Sequence, residues 1–203
     1  MARPKATPEQ REQIRRGIRQ AAAELYRAEG LAAISARSVA RKAGVSVGTI
    51  YAHFGDLATL MQSLWTGRVD RQNVRFRAIA DQIDDPRERL RALLAAYLDF
   101  AAENADLYRA VFLFVRPESH PQPTPEPLAT YPFPTLLIET VRAGQQADHF
   151  IPGPPETLAQ ILWSGLHGCL ALPVNLDRVA LASSHDTAGP MLDALMRAVE
   201  TSH

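Results

Sequence analysis

The segment Ile34–Phe54, ISARSVARKAGVSVGTIYAHF, contains two short helical patterns separated by a tight turn. Ser35 is a favourable N-cap residue, because its hydroxyl can accept a hydrogen bond from the free amides of the first helical turn. Gly44 can adopt the left-handed conformation that ends many helices. Ser46 can cap the second helix, and Gly55 follows its last residue. Two capped helices joined by a short turn predict a helix-turn-helix motif.

Each of these two helices also has an apolar residue just before its cap. Ile34 can pack against Val39, and Val45 can pack against Ile50, as in a hydrophobic staple. The small side chain of Ala40 allows the two helices to approach closely. We therefore predict that one face of the motif is buried and that the other face of its second helix is exposed.

The exposed face of the second helix is predicted to contact DNA, because in this motif the second helix enters the major groove by its N-terminal residues. Val47 and Thr49 can touch a thymine methyl group, and Thr49, Tyr51 and His53 can hydrogen-bond bases or phosphates. The alternative is a helical hairpin from an unrelated bundle. The predicted DNA-binding residues are Ser35, Arg37, Ser46, Val47, Gly48, Thr49, Tyr51 and His53.

The run SARSVARKAGVSVGTIYAHFGDLATL, which begins at Ser35, resembles the DNA-binding domain of the tetracycline-repressor (TetR) family. The matching residues are Val39–Ala40, Ala43–Ser46, Gly48–Tyr51 and His53–Phe54. The resemblance implies an all-helical homodimeric repressor whose C-terminal domain binds a small ligand. Members often carry a phosphate-contacting lysine near the start of the next helix, and here that position is Leu57.

Charge is distributed unevenly along the 203 residues, although the net charge is zero. The first 55 residues contain ten Lys or Arg and four Glu, whereas the remainder contains twelve basic and eighteen acidic residues. A basic first part beside an acidic remainder fits one domain that binds phosphate and another that is kept away from it. We predict a helix-turn-helix domain over residues 1–55 and a helical ligand-binding and dimerisation domain over residues 56–203.

The remaining helices follow from apolar spacing, caps and prolines. Residues 117–134 contain seven of the fifteen prolines and predict an extended loop, which is either a linker or a PxxP docking site. Residues 174–188 are also predicted to be a loop. The predicted helices outside the motif are Pro8 to the residue before Gly30, Leu57–Ile83, Pro86–Asn104, Asp106–Val115, Thr135–Gln146, Glu156–Leu172 and Pro190–Thr201.

Aromatic residues of the second domain can line an apolar ligand pocket with a few polar groups. The alternative is ordinary core packing, and His167 in particular can be a core histidine. The pattern Trp163…His167–Gly168 resembles a subtype of TetR C-terminal domain. The predicted ligand-binding residues are Trp65, Tyr97, Phe100, Tyr108, Phe112, Trp163 and His167.

The helix Glu156–Leu172 is apolar nearly all round, which predicts burial on two sides. One side would face its own core, and the other would face a second copy of the chain together with the last helix. The predicted dimer-interface residues are Leu162, Leu166, Leu170, Leu192, Leu195 and Met196.

No motif for catalysis is evident: the chain lacks a Gly-rich phosphate loop, a GxSxG elbow and an HExxH pair. The single Cys169 excludes an intramolecular disulfide and a cysteine zinc site, and no cofactor or metal is predicted. No apolar run long enough to span a membrane is evident, and residues 1–5 do not resemble a secretion signal, so we expect a cytoplasmic protein.

The prediction is a dimeric regulator that binds double-stranded operator DNA and a small-molecule effector. Two alternatives remain: an enzyme that uses the helical C-terminal pocket, and a DNA-binding protein that responds to no ligand. An enzyme predicts turnover without sequence-specific DNA binding. A ligand-independent architectural binder predicts DNA binding that is insensitive to sequence and to small molecules.

Overall fold

The computed structural model describes residues 7–30, 33–105, 108, 126–176 and 178–201. These residues form two compact units, which divide at Val69 and Asp70. The only strand-like pairing among them is an isolated bridge between Phe150 and Glu200, so the all-α prediction is confirmed. The α-helices are α1 (Pro8–Glu29), α2 (Ala36–Ala43), α3 (Val47–Phe54), α4 (Leu57–Gln82), α5 (Pro86–Glu103), α6 (Pro132–Gln146), α7 (Pro155–Asn175) and α8 (Ser184–Val199).

The caps of the helix-turn-helix motif form as predicted. The Ser35 hydroxyl accepts from the Ser38 amide at 3.0 Å, and the Ser46 hydroxyl accepts from the Thr49 amide at 3.1 Å. Gly44 ends α2 at φ 67° and ψ 30°, a left-handed conformation that glycine adopts without a steric penalty. These local bonds fix where α2 ends and α3 begins.

The first unit is built on mutual contacts among α1, α2 and α3. Ile34 and Val45, the residues predicted to act as staples, pack against its core. The buried core residues are Ile18, Ala22, Leu25, Val39, Ala40, Ile50, Phe54 and Leu60.

The second unit is a helical bundle in which α6 packs against both α5 and α7, while α8 packs against α7 and α5. A glycine permits α7 and α8 to pack closely: a Cβ atom on Gly165 of α7 would lie 2.9 Å from both terminal methyl carbons of Leu195 on α8. The fully buried leucines at positions 90, 93, 94, 136, 137, 162 and 166 fill the interior.

The turn after α6 is tied to the chain that follows α8. The Ile151 amide donates to the Val199 carbonyl at 2.8 Å, and the Thr201 amide donates to the His149 carbonyl at 3.0 Å. Phe150 lies between these bonds, is almost fully buried and packs its ring against Gly144 of α6. This pairing locks the end of the chain onto the bundle.

Three predicted helix bounds were wrong, each because of a proline. Pro132 begins α6 three residues early, since the first helical turn needs no intrahelical amide donors. Pro173 lies inside α7, which continues to Asn175. Pro190 lies inside α8, which begins at Ser184 with the Ser183 hydroxyl as its cap.

Two parts of the prediction fall mainly outside the described residues. They are the helix Asp106–Val115 and the first part of the proline-rich segment 117–134. Within that segment the described part begins at Glu126 and contains a short 3-10 turn, Leu128–Thr130, before α6.

One described helix, Pro155–Val174, is long and apolar enough to cross a membrane by length and composition alone. This differs from the expectation that no such stretch exists, because that expectation considered uninterrupted apolar runs and not mean hydropathy. Core helices of water-soluble proteins meet the same criterion, and Leu162 and Leu166 of this helix are fully buried.

Candidate DNA-binding surface and ligand site

The exposed surface of α3 consists of Gly48, Tyr51 and Ala52. The Tyr51 side chain is 48% exposed, which is unusual for a large aromatic residue that has no partner to contact. A Cβ atom on Gly48 would meet only the Ser46 hydroxyl, at 3.7 Å, so that side of the helix is open to a close neighbour. Ala52 was missed by sequence reasoning, because alanine carries no polar signal.

Four of the predicted DNA-binding side chains form contacts within the protein. Val47 is half-buried and packs against the core of the first unit, which corrects its assignment to the outward face. The Thr49 hydroxyl lies 2.8 Å from the Ser46 hydroxyl, and both groups belong to the N-terminal cap of α3. Ser35 caps α2 in the same way.

Arg15 of α1 holds the C-terminal end of α3. Its guanidinium donates to the His53 carbonyl at 3.0 Å and lies 4.8 Å from the ring centroid of Phe54. A cation at a helix C-terminus is favoured by the helix dipole and by the unpaired carbonyls there. The Arg15 side chain therefore stabilises the position of α3.

Basic side chains remain at the surface of α2. Arg37 and Arg41 are exposed and form no ion pair within the described residues, whereas Lys42 lies 3.4 Å from the Glu24 carboxylate. Leu57 packs against the core of the first unit, so it supplies no replacement for the phosphate-contacting lysine of the family pattern. Arg37 and Arg41 are the available phosphate ligands on this helix.

Helices α5, α6 and α7 of the second unit bring aromatic rings together around Tyr97. The ring of Tyr97 stacks on Phe133, with centroids 5.0 Å apart and planes 15° from parallel. The ring of Trp163 meets that of Tyr97 edge-on, with centroids 6.4 Å apart, and the ring centroids of Phe76 and Phe133 are 4.5 Å apart. Sequence reasoning missed Phe133 because it lies between two prolines in a segment predicted to be a loop.

His167 of α7 supplies the polar centre of this cluster. Its Nδ1 atom is 3.3 Å from the Tyr97 hydroxyl and closer still to the Tyr108 hydroxyl. The rings of Tyr108 and His167 are tilted against each other with centroids 5.3 Å apart. The structure therefore brings together four of the predicted ligand-binding residues: Tyr97, Tyr108, Trp163 and His167.

Burial keeps the titratable groups of this cluster uncharged. It raises the pKa of the Tyr97 and Tyr108 hydroxyls, and it lowers the pKa of the His167 imidazole. Burial also raises the pKa of the Cys169 thiol, which donates to the Leu166 carbonyl at 3.0 Å. The cluster is neutral near pH 7, and the buried thiol is unsuited to act as a thiolate nucleophile.

Two other predicted ligand-binding residues, Trp65 and Phe100, do not join this cluster. Trp65 is buried in the first unit and meets Tyr26 of α1 edge-on at 4.8 Å, so it is a core residue there. Phe100 is buried on α5, one turn beyond Tyr97. Phe112 lies outside the described residues.

The structure corrects the predicted dimer interface. Leu162, Leu166, Leu192 and Met196 are buried inside a single chain, so they are withdrawn from any surface that a second copy could contact. Leu170 and Leu195 are half-buried, and Leu195 packs on Gly165 of its own chain. Apolar exposure on α7 lies instead at Ile161 and Leu172, which are 52% and 51% exposed.

Within the described part of the chain, no group of three or more His, Cys, Asp or Glu side chains is arranged to hold a metal ion. The geometry thus provides two features with functional chemistry. One is the exposed face of α3 with the basic side chains of α2, and the other is the neutral aromatic cluster around His167.

Comparison with known proteins identifies a relative among repressors. Over 83 residues the chain is 35% identical to the HTH-type transcriptional repressor KstR2 of Mycobacterium tuberculosis. The match covers 40% of this chain and 42% of that protein, so the chain spans about two fifths of the length of the curated relatives it matches.

Solved structures share the fold over most of their length. A protein of unknown function from Rhodococcus sp. RHA1 superposes with a TM-score of 0.65 at 22% identity, covering 93% of this chain and 96% of that one. The transcriptional regulator FadR from Bacillus subtilis, solved in complex with stearoyl-CoA, superposes with a TM-score of 0.64 at 17% identity. This match covers 90% of this chain and 98% of that one.

Two family models match the chain. Residues 18–64 match the bacterial regulatory proteins of the tetR family, and residues 90–199 match the tetracyclin repressor-like C-terminal domain. The second match alone covers more than half of the chain. The capped α2–turn–α3 motif and the helical second unit agree with both models. The chain belongs to the tetR family of bacterial regulatory proteins.

Proposed function

We propose that the protein is a homodimeric transcriptional repressor of the cytoplasm that releases its operator when a small, largely apolar molecule binds the second unit. The observation that supports DNA binding is the surface of α3: Gly48, Tyr51 and Ala52 are exposed, and Ile50 on the opposite face is fully buried. Membership of a family of regulatory proteins supports the same conclusion.

A dimer gives such a protein its sensitivity to a ligand. Two recognition helices must meet major grooves about 34–36 Å apart, or a multiple of that distance. A ligand that changes their separation by a few ångströms therefore weakens DNA binding. Because binding free energies are reciprocal, a ligand that lowers the affinity for DNA must itself bind less tightly when DNA is present.

The neutral aromatic cluster supports an effector that is mainly apolar. Tyr97, Phe133 and Trp163 form a wall of rings, and His167 adds a polar group that is uncharged near pH 7. No arginine or lysine is among the cluster residues, which disfavours an effector recognised through several phosphates at this point. FadR of Bacillus subtilis, which has the same fold, binds a molecule with a long acyl chain.

The proposed function is tested by gel shift with DNA from beside the gene, because such regulators commonly act on neighbouring promoters. Apolar aromatic and fatty compounds are screened in parallel for an increase in melting temperature. We expect one DNA segment to bind specifically and at least one stabilising compound to release it. Turnover of a compound without DNA binding supports an enzyme, and DNA binding that ignores both sequence and compounds supports an architectural protein.

Arg37→Ala is expected to weaken binding to all DNA sequences about equally. Arg37 is exposed at the start of α2 and has no ion-pair partner within the described residues, as a phosphate contact requires. Losing one phosphate contact lowers the slope of log K against log salt by about one unit. Filter binding over a salt series measures this slope. A variant that loses discrimination between sequences at an unchanged slope contradicts the phosphate role.

Ile161→Glu is expected to weaken self-association about tenfold or more, because it places a charge on the exposed apolar stripe of α7. Leu166→Glu is the matched comparison: it buries a carboxylate in the core and should unfold the second unit. Light scattering reports the mass, and circular dichroism reports the fold. If the Ile161→Glu protein is folded and still fully dimeric at nanomolar concentration, the dimer interface does not include this part of α7.

A further inference from the structure

Helix α3 has eight residues, too few to hold a fixed direction by its own backbone hydrogen bonds. Contacts with the rest of the first unit must therefore set its orientation. Its start is held by the preceding turn, where the Val45 amide donates to the Ala40 carbonyl of α2 at 3.0 Å. Ile50, near its middle, is fully buried. The helix can tilt about this residue unless both of its ends are held.

Arg15 of α1 provides the contact at the C-terminal end of α3. Its guanidinium donates to the His53 carbonyl at 3.0 Å, and the guanidinium carbon lies 4.8 Å from the ring centroid of Phe54. A planar guanidinium can bond a carbonyl and contact an aromatic ring at the same time. Arg15 lies 38 positions before His53 in the sequence. This long-range contact therefore fixes the end of α3 relative to α1.

The orientation of α3 matters for reading base sequence, because the recognition helix contacts base edges with its N-terminal residues. An eight-residue helix is about 12 Å long, so a tilt of about 10° around its middle moves each end by about 1 Å. Such a shift takes a hydrogen bond to a base edge outside the favourable range of donor–acceptor distances. Binding to phosphates alone depends mainly on charge and tolerates the same shift.

We propose that Arg15 is a positioning residue for sequence recognition: it holds the C-terminal end of α3 and so keeps the face with Tyr51 in the orientation that reads the operator. In this role Arg15 does not contact DNA, because its guanidinium contacts His53 and Phe54 instead. The inference rests on the proposed function and deepens it, since it assigns operator specificity to a residue of α1, outside the helix-turn-helix motif.

Arg15→Met removes the guanidinium and keeps an unbranched apolar stem. Without this charge-assisted hydrogen bond we expect about one molecule in ten to keep α3 in the binding orientation, so operator affinity falls about tenfold. Affinity for a scrambled duplex should change by less than about twofold, with an unchanged slope of log K against log salt. A lost phosphate contact would instead lower that slope by about one unit on both duplexes. Titrations of both duplexes over a salt series measure these values.

Two further variants make the comparison specific. Arg19→Met removes the same charge from the same helix, but Arg19 is bonded to Glu12 of α1, at 2.9 Å. It should therefore leave the ratio of operator to scrambled affinity unchanged. Arg15→Lys keeps the charge and loses the planar group, so a phosphate contact should survive it, whereas we expect operator affinity to fall about threefold. Circular dichroism checks the fold, and Arg15→Lys decides the inference if Arg15→Met does not fold.

Combination with Tyr51→Ala shows whether Arg15 acts through α3. Without the Tyr51 ring, the orientation of α3 affects fewer base contacts, so Arg15→Met should then cost about threefold or less in operator affinity. The effects of two independent residues would multiply instead. A general loss of stability would also multiply with the effect of Tyr51→Ala, so this measurement distinguishes it from positioning.

Amide hydrogen exchange followed by NMR tests the contact without DNA. The Gly55 amide donates to the Tyr51 carbonyl at 2.8 Å at the end of α3. We expect this amide to exchange about tenfold faster in Arg15→Met, since the helix end opens more often. The Val45 amide, in the turn before α3, should change its exchange rate by less than about twofold.

Each result decides the inference. It is overturned by wild-type discrimination in both Arg15 variants, by a lowered salt slope, by fully multiplicative effects with Tyr51→Ala, or by unchanged Gly55 exchange. A wild-type protein that discriminates among no duplexes rejects the proposed function, and the exchange result then shows separately whether Arg15 holds α3. Specific binding by the wild type with a contrary Arg15 result leaves a regulator whose α3 is positioned by other residues.

Discussion

Gly144→Ala is expected to lower the free energy of unfolding by about 3 kcal/mol, the upper end of the usual cost of overpacking a core. A Cβ atom on Gly144 would lie 2.0, 2.3 and 2.9 Å from three carbon atoms of the Phe150 ring. Such distances are far below van der Waals contact, so the ring or the helix must move. Chemical denaturation followed by far-UV circular dichroism measures the loss.

The Phe150 ring has little freedom to move. The His149 amide donates to the Gly144 carbonyl at 2.8 Å, and Ile151 is bonded to Val199 on the other side. Phe150 itself is 2% exposed and forms the bridge with Glu200. Relief of the clash therefore requires breaking backbone bonds that anchor the end of α8, which is why we expect a large cost.

Gly17→Ala is the matched control, because Gly17 is exposed in the interior of α1 and an added Cβ meets no atom within 4 Å. The higher helix propensity of alanine should stabilise this variant by about 0.5–1 kcal/mol. Phe150→Ala combined with Gly144→Ala should cost clearly less than the two changes added together. Additive effects, or a Gly144→Ala protein as stable as wild type, contradict the proposed clash.

Sequence reasoning succeeded where the determinants are local. The bonds of Ser35 and Ser46 span three residues, and a left-handed Gly44 needs no distant contact, so the motif could be located without tertiary information. The first unit places these helices around apolar residues at regular spacing. For the same reason the family resemblance over this segment agreed with the structure.

Prediction was weaker where a residue's role depends on what packs against it. Leu166 and Ile161 are equally apolar in sequence, yet one is fully buried in its own chain and the other is half exposed. Trp65 and Trp163 are both aromatic, but each belongs to a different compact unit. Helical periodicity shows that a face is apolar, and only the tertiary contacts show which partner covers it.

The prolines show a second limit. Pro173 and Pro190 were each predicted to mark a helix boundary, but both lie within helices. Pro132 was predicted to lie in a loop, but it begins α6. A proline removes one amide donor, and a packed helix can tolerate this loss when its neighbours hold it in place. Because Phe133 was predicted to lie in a loop, it was not considered as a ligand-binding residue, although its ring stacks on Tyr97.

Tyr51→Ala is expected to weaken operator binding by roughly 1–3 kcal/mol, or about 5- to 150-fold, with no loss of stability. The side chain is 48% exposed on α3, and the core on the opposite face is formed by Ile50 and Phe54. Truncation therefore removes exposed surface that we expect to contact DNA, and it leaves the buried core residues in place. Arg15 continues to hold the His53 carbonyl, so the helix itself should keep its position.

The contribution of Tyr51 to specificity is isolated by comparing the operator with a scrambled duplex at one salt concentration. Tyr51→Phe retains the ring and loses only the hydroxyl, so its affinity should fall between those of wild type and Tyr51→Ala. If Tyr51 contacts bases, the alanine variant loses affinity for the operator and hardly any for the scrambled duplex. Equal losses on both duplexes would assign Tyr51 to the DNA backbone, and unchanged operator affinity would remove α3 as the recognition helix.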